Sequence, residues 1–387
     1  MNQNAISWRQ IWTSPIAVDG RPLSQLEDLG TPEMIMHKYL RIAVVVTVAL
    51  FVALSDPALR AAEATESRTR LEIAGTQFTI NGKPGFLHGI SYYGALGARR
   101  QFVVRDLDDM QRYGFNWIRV WATWSAFDND VSAVDNEGLV RESQMEKLKW
   151  LIAECDRRGM IVDVTLTKGE GRLGNAHVSA LDKHALALET LTLELKEWRN
   201  WYLDMANEHN IRSKSLATKF VSFEDARTLR NRVKKVDQQR LVTISYVRDP
   251  SREDVRSYLL DVQVDFLSPH RPRNPKSASE TATITRQYLT WMRESGRLIP
   301  IHYQEPFRRD FSKGWQPTAE DFQTDLEGAI ESGAAGWCFH NGDNRWDRDA
   351  QPRRSFDMRE RRLFEQLDSA ELEAVKRMAA AIDKAKR

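Results

Sequence analysis

The chain has 387 residues, 42% of them hydrophobic, with 12 tryptophans and a formal net charge of +2. That near-neutral balance, with no long basic tract interleaved with aromatics, excludes nucleic acid as the main partner, and the apolar content suffices for a large core. Cys155 and Cys338 are the only cysteines, and no CxxC, HExxH or histidine cluster occurs, so the sequence predicts two buried thiols, no disulfide, no metal and no cofactor.

Residues 34–64 read MIMHKYLRIAVVVTVALFVALSDPALRAAEA, with basic residues at the start, an apolar stretch from Ile42 to Leu54, and a small-x-small ending at Ala62-Glu63-Ala64. This is the order of a secretory signal peptide. The apolar stretch is well short of the roughly 20 residues that span a bilayer as a helix. Residues 1–64 are therefore expected to be a leader containing a cleaved signal (34–64), and the product to be exported to the periplasm or beyond without a stable membrane anchor. On this reading residues 1–33 reflect a start codon placed too early. A short buried helix of the folded domain is the alternative.

From residue 71 the chain alternates short apolar runs with segments of helical period, after an opening LEIAGTQFTINGKP that reads as a small hairpin closing one end of the fold. Strands are predicted at Phe86 to Ile90, Trp117 to Trp121, Ile161 to Thr165, Tyr202 to Ala206, Leu241 to Tyr246, Asp265 to Ser268, Ile299 to Tyr303 and Ala335 to Phe339. Between them fall helices at Phe102 to Tyr113, Glu142 to Arg158, His184 to Asn200, Phe223 to Val236, Glu253 to Val262, Glu280 to Glu294 and Ala319 to Ser332, with a last one at Arg359 to Ala380. Starts such as Ser222-Phe223-Glu224-Asp225 and stops such as Gly114 and Gly159 mark their ends. Eight β/α units predict a single α/β domain over residues 65–387, a (β/α)8 TIM barrel.

In such a barrel the chemistry gathers at the carboxyl ends of the strands. The first predicted strand contains His88 and leads to Tyr92-Tyr93, and the second carries Arg119 with Trp121 and Trp124. The fourth ends in Asn207-Glu208, the sixth in His270, the seventh in Tyr303-Gln304-Glu305, and the eighth holds Trp337 and leads to His340. Alternation along PIHYQEPF turns Ile301, Tyr303 and Glu305 to one side, expected to be the interior. Two carboxylates at one barrel mouth suit glycosidic bond cleavage, because one must protonate the leaving oxygen and the other must meet a cationic sugar centre.

This constellation resembles the clan A retaining β-glycosidases, and within them the cellulase-like family 5 barrels, which end strand four in Asn-Glu and strand seven in a second Glu. The likeness covers most of residues 71–370. It implies Glu208 as acid/base and Glu305 as nucleophile, with Arg119, Asn207, His270, Tyr303 and Trp337 lining the sugar site. It also implies a β-linked oligo- or polysaccharide as the substrate. His88 and Trp121 are further candidates for sugar contacts. His209 stands where the family has a proline, and His270-Arg271-Pro272 replaces a His-x-Tyr pattern, which leaves the substrate open.

Plainer readings stand beside these. Arg119 also serves as an internal ion-pair partner, His88 and His270 as core histidines, and Trp337 as core. Trp121, Trp124, Trp315 and Trp346 are either platforms or loop packing. Lys168, Arg172, Arg271, Arg273, Arg308, Arg309 and Arg345 all fall in predicted loops on the same face, which would favour an anionic glycan. Glu170, Asp310, Asp343 and Asp347 among them fit a solvated mixed-charge rim instead. The same site would serve a transglycosylase, and a barrel that binds glycans without turning them over is the non-enzymatic alternative.

Overall fold

The computed structural model describes residues 68–126, 129–167, 178, 180–212, 220–342 and 357–385. The predicted signal segment lies outside the described residues, as do Lys168, Glu170, Arg172, Asp343, Arg345, Trp346 and Asp347. Among the described residues no helix is long and apolar enough to cross a membrane.

The opening forms three strands rather than two: β1 (Leu71–Ala74), β2 (Gln77–Ile80) and β3 (Lys83–Gly85), an antiparallel meander. The third strand exists because Asn81-Gly82, both with positive φ (52° and 74°), makes a second two-residue turn. Phe78 of β2 meets Phe266 at 5.1 Å and His302 at 6.0 Å between ring centroids, so the meander plugs the bottom of the barrel.

The barrel strands are β4 (Leu87–Ser91), β5 (Trp117–Trp121), β8 (Ile161–Thr165), β9 (Trp201–Asp204), β10 (Val242–Thr243), β13 (His302–Tyr303) and β14 (Gly336–Phe339). All pair in parallel, in the order β10-β9-β8-β5-β4-β14-β13. An eighth segment closes the ring between β10 and β13. Asp265 N–H donates to Val242 (2.9 Å), Leu267 N–H to Pro300 (2.9 Å), and His302 N–H to Leu267 (2.9 Å). That segment continues into β12 (Pro269–His270), which pairs with β11 (Tyr246–Val247). A small hairpin of β6 (Ser125–Ala126) and β7 (Asn129–Asp130) follows β5.

Around the strands lie α1 (Arg100–Arg112), α2 (Glu142–Arg157), α3 (Leu181–Glu194), α4 (Phe223–Val236), α5 (Arg252–Ser257), α6 (Ser277–Glu294), α7 (Ala319–Glu331) and α8 (Ser369–Ala385). Ser222 with Asp225, Ser251 with Asp254 and Thr318 with Asp321 form reciprocal capping boxes at α4, α5 and α7. The last helix starts ten residues later than predicted. Asp368 and Glu371 cap it, each accepting the other's backbone N–H at 2.8 Å, and the chain before it is tied to α1 through Arg362 and Asp106 at 3.0 Å. α3 begins and ends earlier than its periodicity suggests, and Asn200, well beyond its end, donates to Ile152 and Met160 (both 3.1 Å).

Two apolar layers result. Inside the lower barrel, Leu87, Trp117, Ile161, Tyr202, Phe266 and Cys338 pack on Phe78. Ile90, Ile118, Val120, Val164, Ile301, Tyr303 and Trp337 belong to the larger layer between strands and helices. Because strand side chains alternate, membership of one layer fixes which residues of each strand reach the mouth. Both cysteines are buried and free.

Candidate active site

Arg119 lies at the centre of the mouth, fully buried, on the inward face of β5 it shares with Trp117. Its Nε donates to Thr165 Oγ1 (2.9 Å) and lies 3.1 Å from Asp163 Oδ2, while Nη2 donates to Asp204 Oδ2 (2.7 Å) and Asn207 Oδ1 (3.0 Å). Nη1 donates to Glu305 Oε1. One guanidinium thus faces three carboxyl groups. Burial pushes Asp163 up to about 8; Arg119 pulls it down, and the Asp204 charge raises it again. The contact with Arg119 taken alone suggests an ionised Asp163. The proton wins, because one buried cation cannot offset three carboxylates in a dry interior. Burial likewise works against the guanidinium, but Glu305, Asp163 and Asp204 more than reverse it and keep Arg119 charged.

The structure brings Glu208 and Glu305 together. Glu208 adopts a left-handed backbone (φ 49°), which for a side chain other than glycine costs roughly 1 kcal/mol. Ser245 holds it there, accepting Glu208 N–H on Oγ (3.0 Å) and His209 N–H on its carbonyl (3.0 Å). His209 anchors the loop through Nδ1 to the Val221 carbonyl (2.7 Å) and through Tyr258 OH. Its burial pushes the imidazole down to about 4, against the weaker pull of its Val221 bond.

Glu208 Oε1 then lies 3.3 Å from His270 Nδ1, which is 3.6 Å from Glu305 Oε2. One oxygen of each glutamate and one His270 nitrogen all fall within 4.8 Å of one another. Arg273 reaches the same oxygens, with Nη2 at 2.7 Å from Glu305 Oε2 and 3.7 Å from Glu208 Oε1. Burial opposes the ionisation of Glu305. The charges of His270, Arg119, His340 and Arg273 overcome it and hold this carboxyl well below the ordinary carboxylate range. His340 is itself driven well below its usual value by burial and by Arg308, so at neutral pH it adds no charge to that effect. Its Nδ1 faces the Pro306 carbonyl (3.2 Å) and carries the proton. Nε2 is left to accept from Tyr93 OH (2.9 Å) and Arg308 (3.0 Å).

Three expected site residues lie elsewhere. Tyr303 points outward, its hydroxyl 2.5 Å from Thr285 Oγ1 of α6, so it does not line the sugar site. Inward of it on β13 is His302, whose ring packs 4.7 Å from Trp117. Trp337 also points outward and donates its Nε1–H to Asp325 Oδ2 of α7 (2.6 Å), because the inward positions of β14 are Gly336 and Cys338. His88 is turned out by the same alternation, since Leu87 faces in, and its ring lies 5.9 Å from Phe115. Trp121 sits at the mouth, packed on Tyr93 (5.3 Å) and Trp124 (5.2 Å), whereas Trp315 packs on Phe307 (5.1 Å). Trp337→Phe should therefore lower stability by about 1–3 kcal/mol, through loss of a bond to a buried carboxyl, and leave KM for any substrate unchanged. A raised KM at unchanged stability would place Trp337 back in the site.

Asp163 and Asp204 were not singled out from the sequence. A signal exists: a carboxylate inside IVDVT or WYLD shares the inward face with Ile161 and Tyr202, and a buried acid demands a cation such as Arg119.

No family model matches the sequence, and no curated protein matches it. Solved structures do. The endo-1,4-β-mannanase from Rhizomucor miehei is 13% identical, with 81% of this chain and 99% of that one covered at a TM-score of 0.56. A family 5 mannosidase from the same organism, solved as a point variant with mannosyl-fructose, is 16% identical over 83% of this chain and 99% of that one (TM-score 0.56). A putative glycoside hydrolase from Bacteroides vulgatus is 13% identical at a TM-score of 0.60, over 83% of this chain and 62% of that longer one. The chain has the (β/α)8 barrel fold found in glycoside hydrolases of family 5.

Proposed function

We propose that the chain is an exported glycoside hydrolase that cleaves a β-linked glycan with retention of anomeric configuration. The observation that carries this reading is the Glu208–Glu305 pair, with oxygens within 4.8 Å at the mouth of the barrel. Retaining enzymes hold their carboxyl groups roughly 5 to 5.5 Å apart, whereas inverting ones leave roughly 6.5 to 9.5 Å for a water. Glu305, held ionised, attacks the anomeric carbon as Glu208 protonates the departing oxygen, and the glycosyl-enzyme ester forms. Glu208, now a carboxylate, draws a proton from water, which attacks the same carbon and frees Glu305. Asn207 gives Oδ1 to Arg119, which leaves Nδ2 to donate to a sugar hydroxyl. Export rests on the sequence of residues 34–64.

The test is new reducing ends on β-glucans, β-mannans, xylans, β-galactans and uronate-containing glycans, with proton NMR of the first anomer released. Absence of cleavage in every case, or release of the inverted anomer, would overturn the reading.

The electrostatics predict the acid side of the pH profile. A carboxyl whose pKa is depressed in the folded state, as that of Glu305 is, stays ionised below the usual value of about 4.3. The kcat/KM should hold within about twofold from pH 6 down to about pH 4. By the same sign, Glu305 contributes stability above the unfolded carboxylate pKa and loses it only as pH falls through the lower folded value. An acid limb with its midpoint near 5 would contradict this electrostatic assignment.

A further inference from the structure

Four arginines of the mouth loops divide into two kinds. Arg271 is neutralised by Asp249 (2.6 Å) and Arg309 by Asp368 (2.6 Å), both away from the two glutamates. Arg273 and Arg308 turn inward. Both guanidinium groups lie over the ring of Phe311, at 4.2 and 4.8 Å from its centroid, and both side chains are largely buried. Arg273 Nε is buried and has no hydrogen-bond partner among the described residues. Two like charges held over one aromatic ring repel each other, and burial makes that repulsion expensive. Arg119 already faces Asp163, Asp204 and Glu305, so Arg273 is a second cation on Glu305 alone.

The position of Arg273 matters for the reaction. Glu305 Oε1 is taken by Arg119, so Oε2 is the oxygen turned toward Glu208, and Arg273 is bonded to it at 2.7 Å. Attack through Oε2 converts the carboxylate to an ester and leaves Arg273 buried beside a neutral group. A neutral sugar offers nothing in exchange. An acidic group on the sugar would take over the guanidinium fork, release Oε2, and keep the charge balanced while the ester forms.

We infer that the cleft takes an anionic glycan, one bearing a carboxylate or a sulfate ester at or beside the cleaved bond, and that Arg273 is the residue that reads this charge. The inference rests on the hydrolase reading above. Arg308 supplies the second positive wall, 3.0 Å from His340.

The experiment compares the full chain and its Arg273→Gln variant on matched pairs: a β-glucuronan with a β-glucan, a mannuronan with a mannan, and a sulfated with an unsulfated β-galactan. The wild type should show kcat/KM at least about tenfold higher on one acidic member than on its neutral partner, and Arg273→Gln should shrink that ratio by about tenfold or more. The uronate and sulfate arms tell which anion is read. A wild-type salt series from about 50 to about 500 mM NaCl, which does not depend on the variant folding, should lower the acidic rate several-fold and leave the neutral one level. Cleavage of neutral and acidic members at equal rates, insensitive to salt, overturns the inference and leaves the hydrolase reading standing. If nothing is cleaved, the hydrolase reading falls and calorimetry with acidic and neutral oligosaccharides decides the rest. Acid-selective binding lost in Arg273→Gln supports the anion site, and its absence removes it.

Discussion

Replacing Glu305 by glutamine or alanine should lower kcat by at least about three orders of magnitude, with little change in fold. The stability claim follows from the surroundings. Arg119 keeps Asp163 and Asp204 when Glu305 is neutralised, and Asp163, which holds a proton in the wild type, can release it to restore the balance. Glu208→Ala should be comparably damaging on substrates with poor leaving groups and milder on activated aryl glycosides, because a good leaving group needs no proton. Azide separates the two roles. In Glu305→Ala it can enter only by direct attack on the anomeric carbon, with Glu208 still protonating the leaving oxygen, and the glycosyl azide is inverted. In Glu208→Ala azide attacks the Glu305 ester and the product keeps the starting configuration. Equal and small losses in both variants, with normal circular dichroism, would show that the pair is not the reacting pair.

The sequence was most informative where both faces of a strand are buried. Trp117–Trp121 and Ile161–Thr165 occupy the predicted residues, and the strand ends bring Arg119, Asn207, Glu208, His270 and Glu305 to one place. It misled on which way the side chains turn. In PIHYQEPF strict alternation runs through to Glu305, but β13 ends at Tyr303 and the chain bends there. Gln304 then donates to Asp163 (2.7 Å) and Tyr202 (3.1 Å) inside the barrel, and Glu305 reaches the mouth as well. A bend of that kind has no signature in one strand's pattern. The outward turn of Trp337 did have one. A Cβ on Gly336 would lie 2.6 Å from the His302 ring, so only glycine fits inward there, and the large neighbour must face the helices. Arg273 was legible only as a basic loop residue. Its seat between the two glutamates depends on the path after β12, which composition does not specify.

Arg119→Met is the substitution with the largest expected effect on the fold. The methionine fills much of the same volume and removes the one cation that Asp163 and Asp204 share at 3.1 and 2.7 Å in a fully buried site. Breaking a buried ion pair from one side costs about 3–5 kcal/mol, because the remaining charge keeps its desolvation penalty without its partner. The loss should depend on pH with a definite sign. Without Arg119, which lowers Asp163, the folded pKa of Asp163 rises further, so the native state binds more protons than the unfolded one, and stability falls as pH climbs through and above the ordinary carboxylate range. Urea midpoints for the variant should therefore lie further below wild type at pH 8 than at pH 5. Arg119→Lys should recover part of the stability, since it restores the charge, and little of the activity, since a point charge cannot replace a fork that holds Glu305, Asp204, Asn207 and Thr165 at once. A variant equally stable at both pH values would mean that Arg119 does not set the protonation of Asp163, and that Glu305 owes its ionised state to Arg273 instead.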